Sequence, residues 1–247
     1  MNIQDSTALV TGANRGIGRA FADALLDRGA TKVYAAVRDV ATITDPRLVP
    51  VQLDVTDPDR VAAVARELAD VQLVVNNAGV LSVGAPLSAP LDVARTELET
   101  NYLSLVSMTQ AFAPVLERNG GGAFVNVLSV LSWVAMPLLS TYSASKAAAW
   151  SFTNAARIEL RRQGTHVVGV HAGPVDTDMT AAIDLEKIPP TIVAASALDA
   201  LEADEPEAVV DDYSRAVKAG LSDDQRTLYP EIERQFLELT GAATAAT

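Results

Sequence analysis

Cysteine is absent from this chain of 247 residues. That excludes disulfides, thiolate metal sites and a cysteine nucleophile. Histidine is nearly absent too: His166 and His171 are the only two, too few for a multi-histidine metal site and a thin supply for a Ser-His-Asp triad. Positive charge is scarce, with 19 Lys and Arg against 31 Asp and Glu and a formal net charge of −12. A surface of that sign argues against a nucleic-acid partner and against an anionic membrane. One small anionic ligand remains compatible, because local arginines and backbone N–H groups can outweigh the global sign. The opening MNIQDSTALV lacks the basic segment of a signal peptide and reaches a β-rich run at once; with no disulfides to form, the expected compartment is the cytoplasm.

A long hydrophobic run of the membrane-spanning kind is also missing in substance. Asn119 to Ser145 is uncharged over 27 residues, long enough to span a bilayer. Yet it begins Gly-Gly-Gly and contains Pro137 and several serines, so it reads as a buried strand followed by a loop. No internal repeat, low-complexity linker or domain boundary stands out. Hydrophobic residues make up 49% and charged residues 20% of the chain, enough for a sizeable core. Residues 1–247 are therefore expected to form one α/β domain.

What is present is an alternation of strands and helices. TALVT (7–11) is a short apolar strand; Gly12-Ala-Asn14-Arg15-Gly16-Ile17-Gly18 follows; RAFADALLDRGA is helical by its apolar spacing. Glycines at such a junction allow tight turns and close approach of a pyrophosphate to a helix N-terminus. The spacing is Gly-x-x-x-Gly-x-Gly, not the G-x-G-x-x-G of the usual dinucleotide fingerprint. TKVYAAVRD (31–39) is a second strand. Where a ribose-reading acid is expected, it carries Arg38, which suits a 2′-phosphate by bidentate pairing. Arg15 could reach the same phosphate, and Asp39 keeps NAD(H) as the alternative.

LVPVQLDVTD (48–57) is a third strand, closed by Asp54, a candidate acceptor for an adenine amino group. VQLVVNNAGV (71–80) is a fourth, whose end Asn76-Asn77-Ala78-Gly79 is polar and small, as suits backbone beside a bulky ligand. A long helix is expected over 93–119 with Asn101 inside it; facing inward, Asn101 would mark a kink and a water site. AFVNVLS (123–129) and THVVGVHAG (165–173) are the fifth and sixth strands. Gly173-Pro174-Val175-Asp176-Thr177 then forms a small-residue bend able to clasp a carboxamide. Beyond residue 180 the pattern weakens: a helix over roughly 206–220, a short strand at RTLY (226–229), a helix at PEIERQFLEL and a frayed GAATAAT tail. Six strands separated by helices give a doubly wound parallel sheet of the Rossmann type, in which ligands sit beyond the strands' carboxyl ends. The glycine turn, Arg38, Asp54, Asn76 to Gly79, Ser129 and Gly173 to Thr177 all lie at such an end.

The chemistry concentrates between Ser129 and Lys146. Ser129 ends a buried strand, Tyr142 follows thirteen residues later, and Lys146 stands at i+4 from it, on the same helix face one turn on. An ammonium within about 4–6 Å would lower the phenol from its ordinary value near 10, making Tyr142 a candidate general acid–base with a serine hydroxyl beside the reacting oxygen.

Taken together, Thr11-Gly12-x-x-x-Gly16-x-Gly18, Asp54-Val55, Asn76-Asn77-Ala78-Gly79, Asn101, Ser129 and Tyr142-x-x-x-Lys146 resemble the classical short-chain dehydrogenases/reductases over roughly residues 5–180. The resemblance implies catalytic roles for Ser129, Tyr142, Lys146 and Asn101. Tyr142 would be the acid in carbonyl reduction, Lys146 would hold the nicotinamide ribose and depress the Tyr142 pKa, Ser129 would bind the carbonyl oxygen, and Asn101 would seat a water in a proton relay. It implies cofactor binding by Gly12, Asn14, Arg15, Gly16, Ile17, Gly18, Arg38, Asp54, Val55, Asn77, Ala78, Gly79, Tyr142, Lys146, Gly173, Val175 and Thr177, with no metal.

Ser132 is a rival serine at the wrong separation, ten instead of thirteen. Ala172-Gly173-Pro174 departs from the family's usual Pro-Gly. Residues of about 180–230 would form the variable substrate loop, and Trp133, Val134, Met136, Leu138, Leu139 and Met179 an apolar pocket wall. The implied function is an NADP(H)-dependent carbonyl reductase or secondary alcohol dehydrogenase acting on a hydrophobic ketone or alcohol. The alternatives are an NAD(H)-dependent enzyme, an epimerase or dehydratase with a held cofactor, and a non-catalytic dinucleotide-binding homologue. A homodimer or homotetramer built on the helices at 101–118 and 142–162 is implied as well.

Overall fold

The computed structural model describes residues 1–181 and 185–241; the expected frayed tail lies, apart from Gly241, outside the described residues. Seven strands form one parallel sheet: β1 (Thr7–Thr11), β2 (Lys32–Val37), β3 (Val49–Gln52), β4 (Leu73–Asn76), β5 (Gly122–Val127), β6 (Thr165–His171) and β7 (Glu207–Val209), in the order β3-β2-β1-β4-β5-β6-β7. The chain order reverses between β1 and β4, so the loops after these two strands diverge and open a crevice at their carboxyl ends.

Alternation along each strand feeds two cores. Ala8 and Val10 of β1, Val33 and Ala35 of β2, and Leu73 and Val75 of β4 face a core closed by α1 (Gly16–Asp27) and α6 (Pro190–Glu202). Leu9, Ala36 and Val74 face the other way, onto α2 (Pro58–Glu67), α4 (Ser104–Arg118) and α5 (Ser140–Leu160). Burial on both faces explains why β1 and β4 read as nearly unbroken apolar runs. Helix starts follow local chemistry: Asp57 accepts the Arg60 N–H at 3.0 Å and Pro58 opens α2.

Three expectations need correction. The seventh strand is β7, which pairs Glu207 to Val209 with Gly169 to His171; the sequence had assigned that stretch to the start of a helix. The helix there, α7 (Asp212–Gly220), begins only after Asp211 caps it through the Ser214 N–H at 2.8 Å. RTLY is not a strand: residues 224–227 and 229–240 are the helices α8 and α9. The long helix is interrupted. α3 (Leu91–Leu98) passes into a π turn at Glu99–Leu103 before α4 begins, and Asn101 sits in that turn. The uncharged stretch 119–145 resolves into β5, a 3₁₀ turn at Val130–Ser132 and the start of α5, and no described helix is long and apolar enough to cross a membrane.

Candidate active site

The crevice above the β1/β4 switch is lined on one side by the glycine loop, Arg38, Asp54 and Asn77 to Gly79, and on the other by Ser129, Tyr142, Lys146 and Gly173 to Thr177. Its volume of ≈ 1910 Å³ exceeds the roughly 300–1,000 Å³ of an ordinary small-molecule pocket.

The glycine loop is shaped for backbone approach. Gly12 and Gly16 have φ of +66° and +54°, a region that disfavours side chains. Gly18 is different. It lies under the loop, where a Cβ would overlap the Gly12 carbonyl oxygen and press on the Asn77 amide. Its glycine therefore serves the close packing of α1 on β1 and does not face the crevice. Asn77 buttresses the loop, its Nδ2 donating to the Thr11 carbonyl at 2.9 Å. The Thr11 hydroxyl accepts the Asn77 and Ala78 N–H groups at 2.9 and 3.0 Å.

Asn14, Arg15 and Ile17 line the opening, and the Arg15 guanidinium bridges to Asp178 at 2.9 Å across the crevice mouth. Both partners are largely exposed, so the bridge contributes little and is readily exchanged for an anion. Arg38 lines the same edge. Asp39 turns its carboxylate into its own turn, accepting the Ala41 N–H at 3.0 Å. Asp54 accepts the Thr56 N–H and hydroxyl at 3.0 and 2.8 Å, and these bonds hold its pKa down. Asp54 and Val55 both reach the crevice.

Opposite the loop, Ser129, Tyr142 and Lys146 converge, each at most 9% exposed. Tyr142 and Lys146 occupy one face of α5, with the Lys146 ammonium 5.8 Å from the phenol ring centroid. Lys146 donates to the Val127 carbonyl at 2.8 Å. Its pKa is lowered to about 8 by burial. The phenol behaves contrary to the expected lowering. Burial pushes Tyr142 up to about 12, the Ser129 hydroxyl draws it back part of the way, and buried Glu97 pushes the same way as burial. Desolvation disfavours the charged form of both groups.

Asn101 is buried and faces inward, but its side chain is fully engaged. Its amide donates to the Val80 carbonyl and the Ser145 hydroxyl, both at 2.9 Å, and its oxygen accepts the Val80 N–H at 2.8 Å. Ser145 in turn donates to the Tyr142 carbonyl at 2.7 Å, so Asn101 ties the chain after Gly79 to the helix that carries Tyr142. Beside it lies a small cavity of ≈ 10 Å³, lined by Asn76, Asn101, Asn126 and Lys146, where the Asn76 Oδ1 is buried without a partner. That is room for about one water, with polar groups to hold it.

Ser132 is settled by geometry: it is buried beneath Ser129 and donates to the Ser129 carbonyl at 2.5 Å. Of the expected apolar wall, Met136, Leu139 and Met179 line the crevice, joined by Leu131. Trp133 and Val134 do not; they belong to a satellite core under α7 and α9. Val175 and Thr177 line the crevice beside Gly173. The sequence reading passed over Ser145, Glu97 and His171. Glu97 carries a signal in retrospect, since it stands at i−4 to Asn101 on the same helix face. It is fully buried and accepts the Ser82 N–H at 2.8 Å.

Comparison with known proteins agrees with this geometry. Residues 6–187 match the family described as short chain dehydrogenase. The chain is 30% identical to 3-oxoacyl-[acyl-carrier-protein] reductase FabG of Vibrio cholerae over 206 residues, covering 80% of this chain and 84% of that protein. It is 33% identical to estradiol 17-beta-dehydrogenase 2 of Rattus norvegicus over 199 residues, which span 74% of this chain but only 51% of that protein. A short chain dehydrogenase from Burkholderia cenocepacia, solved in complex with NADP, superposes with a TM-score of 0.90 at 40% identity, covering 94% of this chain and 99% of that one. Family match, strand order and the arrangement of the crevice concur: the chain belongs to the short-chain dehydrogenase family of oxidoreductases.

Proposed function

We propose that this protein is an NADP(H)-dependent carbonyl reductase or secondary alcohol dehydrogenase acting on a hydrophobic ketone or alcohol. The observation that carries the reading is the convergence of Ser129, Tyr142 and Lys146 on the crevice wall opposite a glycine cradle. Gly12, Asn14, Arg15, Gly16 and Ile17 would hold the pyrophosphate, Asp54 and Val55 the adenine, Asn77 to Gly79 the adenosine side, and Gly173, Val175 and Thr177 the carboxamide. Arg38, which lines the crevice edge, and Arg15, held only by an exposed bridge, would meet a 2′-phosphate, whereas the Asp39 carboxylate is occupied by its own turn. This favours NADP(H) over NAD(H), as does a 40%-identical relative solved with NADP.

The bound cofactor would supply the hydride. The rest falls to this chain's residues. Ser129 orients the carbonyl oxygen, and Tyr142 gives that oxygen its phenolic proton. The Lys146 ammonium stabilises the phenolate left behind. Asn101 keeps Gly79 and α5 in register, and the cavity beside it is a place for a water between Lys146 and the interior asparagines. A phenol pushed up to about 12 is protonated at neutral pH, as an ordinary tyrosine is, so its proton is there to give. The same high value is the one observation that favours a non-catalytic nucleotide-binding protein. Leu131, Met136, Leu139 and Met179 along the crevice favour an apolar substrate. The outer face of α5, with Ala147, Ala148, Ala155 and the 79%-exposed Ile158, is our choice for the contact between copies of the chain.

The test is oxidation of NADPH and of NADH, each with a panel of aromatic and aliphatic ketones. Turnover of apolar ketones with a clear preference for NADPH is expected. Tight NADPH binding with no turnover on any ketone would support the sensor reading, and equal use of NADH would remove the 2′-phosphate argument.

A further inference from the structure

β6 ends at His171, and its side chain passes under the turn that carries Ser129. The imidazole is fully buried and stacks on Trp133, with ring centroids 3.9 Å apart and planes 17° from parallel. Its Nδ1 lies 3.2 Å from the Ser129 carbonyl oxygen and 3.0 Å from the Ser132 hydroxyl. The Ser132 hydroxyl itself donates to that same carbonyl at 2.5 Å. A hydroxyl has one proton, and this one is engaged. The proton between Ser132 and the ring therefore belongs to Nδ1, which donates toward the Ser132 oxygen and the Ser129 carbonyl. In that tautomer Nε2 is a bare acceptor; it has no hydrogen-bond partner and lies 3.7 Å from the Glu207 carboxylate, which pairs with Lys218. Burial lowers the imidazole to about 4, so the ring is neutral at pH 7.

We propose that His171 is a positioning residue for Ser129: from beneath, through the Ser129 carbonyl and Ser132, it fixes the peptide whose side-chain hydroxyl faces Tyr142. This rests on the reading of Ser129 as the hydroxyl that holds the substrate oxygen. The coupling is short. The Ser129 hydroxyl caps its own turn by accepting the Leu131 N–H at 3.1 Å, so rotation of this peptide moves the hydroxyl directly. The Val130 N–H donates to the Ala172 carbonyl at 3.0 Å, which ties the turn to the residue next to His171 and leads on to Gly173. The outer side of the stack is closed by α7, whose Lys218 ammonium lies 5.6 Å from the Trp133 ring and pairs with Glu207 of β7. The edge strand β7 and the helix α7 thus bear on the serine through one ring. A displacement of about 1 Å at such a group can lower the rate by about a hundredfold.

The experiment uses the whole protein with NADPH and trifluoroacetophenone, an activated apolar ketone, and four variants: Ser129→Ala, His171→Leu, His171→Asn and the Ser129→Ala/His171→Leu double. His171→Leu fills the space but cannot donate; it should lower kcat by about tenfold to a hundredfold with the KM for NADPH within about threefold of wild type. His171→Asn places an amide N–H near the Nδ1 position and should restore most of the rate. In the Ser129→Ala background, His171→Leu should lower kcat by less than about twofold more, because coupled residues are not additive. Losses that multiply in the double variant would show a structural role only and overturn the inference, as would a wild-type kcat in His171→Leu alongside a disabled Ser129→Ala. An unaffected Ser129→Ala, or a wild type that leaves the ketone untouched, would instead refute the functional reading on which the inference rests.

Discussion

Replacing Lys146 by methionine is expected to make the protein inactive and, at neutral pH, more stable. The Lys146 side chain is 5% exposed and donates to the Val127 carbonyl at 2.8 Å, and burial holds its pKa at about 8 against an ordinary 10.5. The folded value lies below the unfolded one. Between these two values the unfolded chain binds a proton that the folded chain lacks, so stability rises with pH across that window and the full burden of the buried charge is present below pH 8. At about 1.4 kcal/mol per pH unit, the burden is roughly 3 kcal/mol. Methionine removes it with similar volume but leaves the Val127 carbonyl short of a donor, a loss of about 1–2 kcal/mol. The net gain at pH 7 is about 1–2 kcal/mol. At pH 10.5 the folded lysine is neutral and the unfolded one half protonated, so little of the burden is left and the methionine variant becomes the less stable of the two. Urea unfolding of both proteins at equal concentration, at pH 7 and at pH 10.5, reads this as a midpoint difference of roughly half a molar that changes sign. A difference of constant size and sign at both pH values would refute the claim that Lys146 is a desolvated cation.

Four further outcomes follow from the same geometry. Arg38→Asp should weaken NADPH binding by about tenfold to a hundredfold, the worth of a charge-assisted contact, and change NADH binding far less; titration with both nucleotides checks it. Gly18→Ala, whose Cβ would overlap the Gly12 carbonyl oxygen, should destabilise the fold by about 1–3 kcal/mol and weaken nucleotide binding by shifting the loop, as thermal unfolding and binding would show. Carbonyl reduction should be flat below pH 8 and fall as pH rises through the Lys146 value of about 8; a pH–kcat profile rising through that range would contradict the role of the ammonium. Asn101→Ala, which releases Val80 from Ser145 and α5, should lower kcat more than it raises the KM for NADPH.

Much of this architecture was legible in the sequence because its strands are buried on both faces. β1, β2, β4, β5 and β6 announce themselves as apolar runs that need no alternation, and the turns after them carry the small and polar residues a ligand needs. β7 was hidden for the opposite reason. It is a three-residue edge strand in an acid-rich stretch, and its pairing with β6 is a tertiary event that leaves no local pattern. The site was legible as a set of residues but not as an environment. Spacing placed Tyr142 and Lys146 on one face of α5, yet it could not show that both are desolvated, and so the phenol's pKa moves up where a pair in water would bring it down. The sequence put Trp133 in the apolar pocket wall; its place on the underside of the Ser129 turn against His171 depends on how β6, β7 and α7 meet.

The most direct test of the central claim, that Tyr142 delivers the proton in a carbonyl reduction, is the turnover of Tyr142→Phe measured beside its affinity for NADPH. The phenylalanine ring would fill the same buried place on α5 without an acidic hydrogen. The account predicts NADPH binding within about threefold of wild type and a kcat lower by about a hundredfold to ten-thousandfold, the span of general acid catalysis. A variant that binds NADPH and reduces ketones at close to the wild-type rate would contradict it.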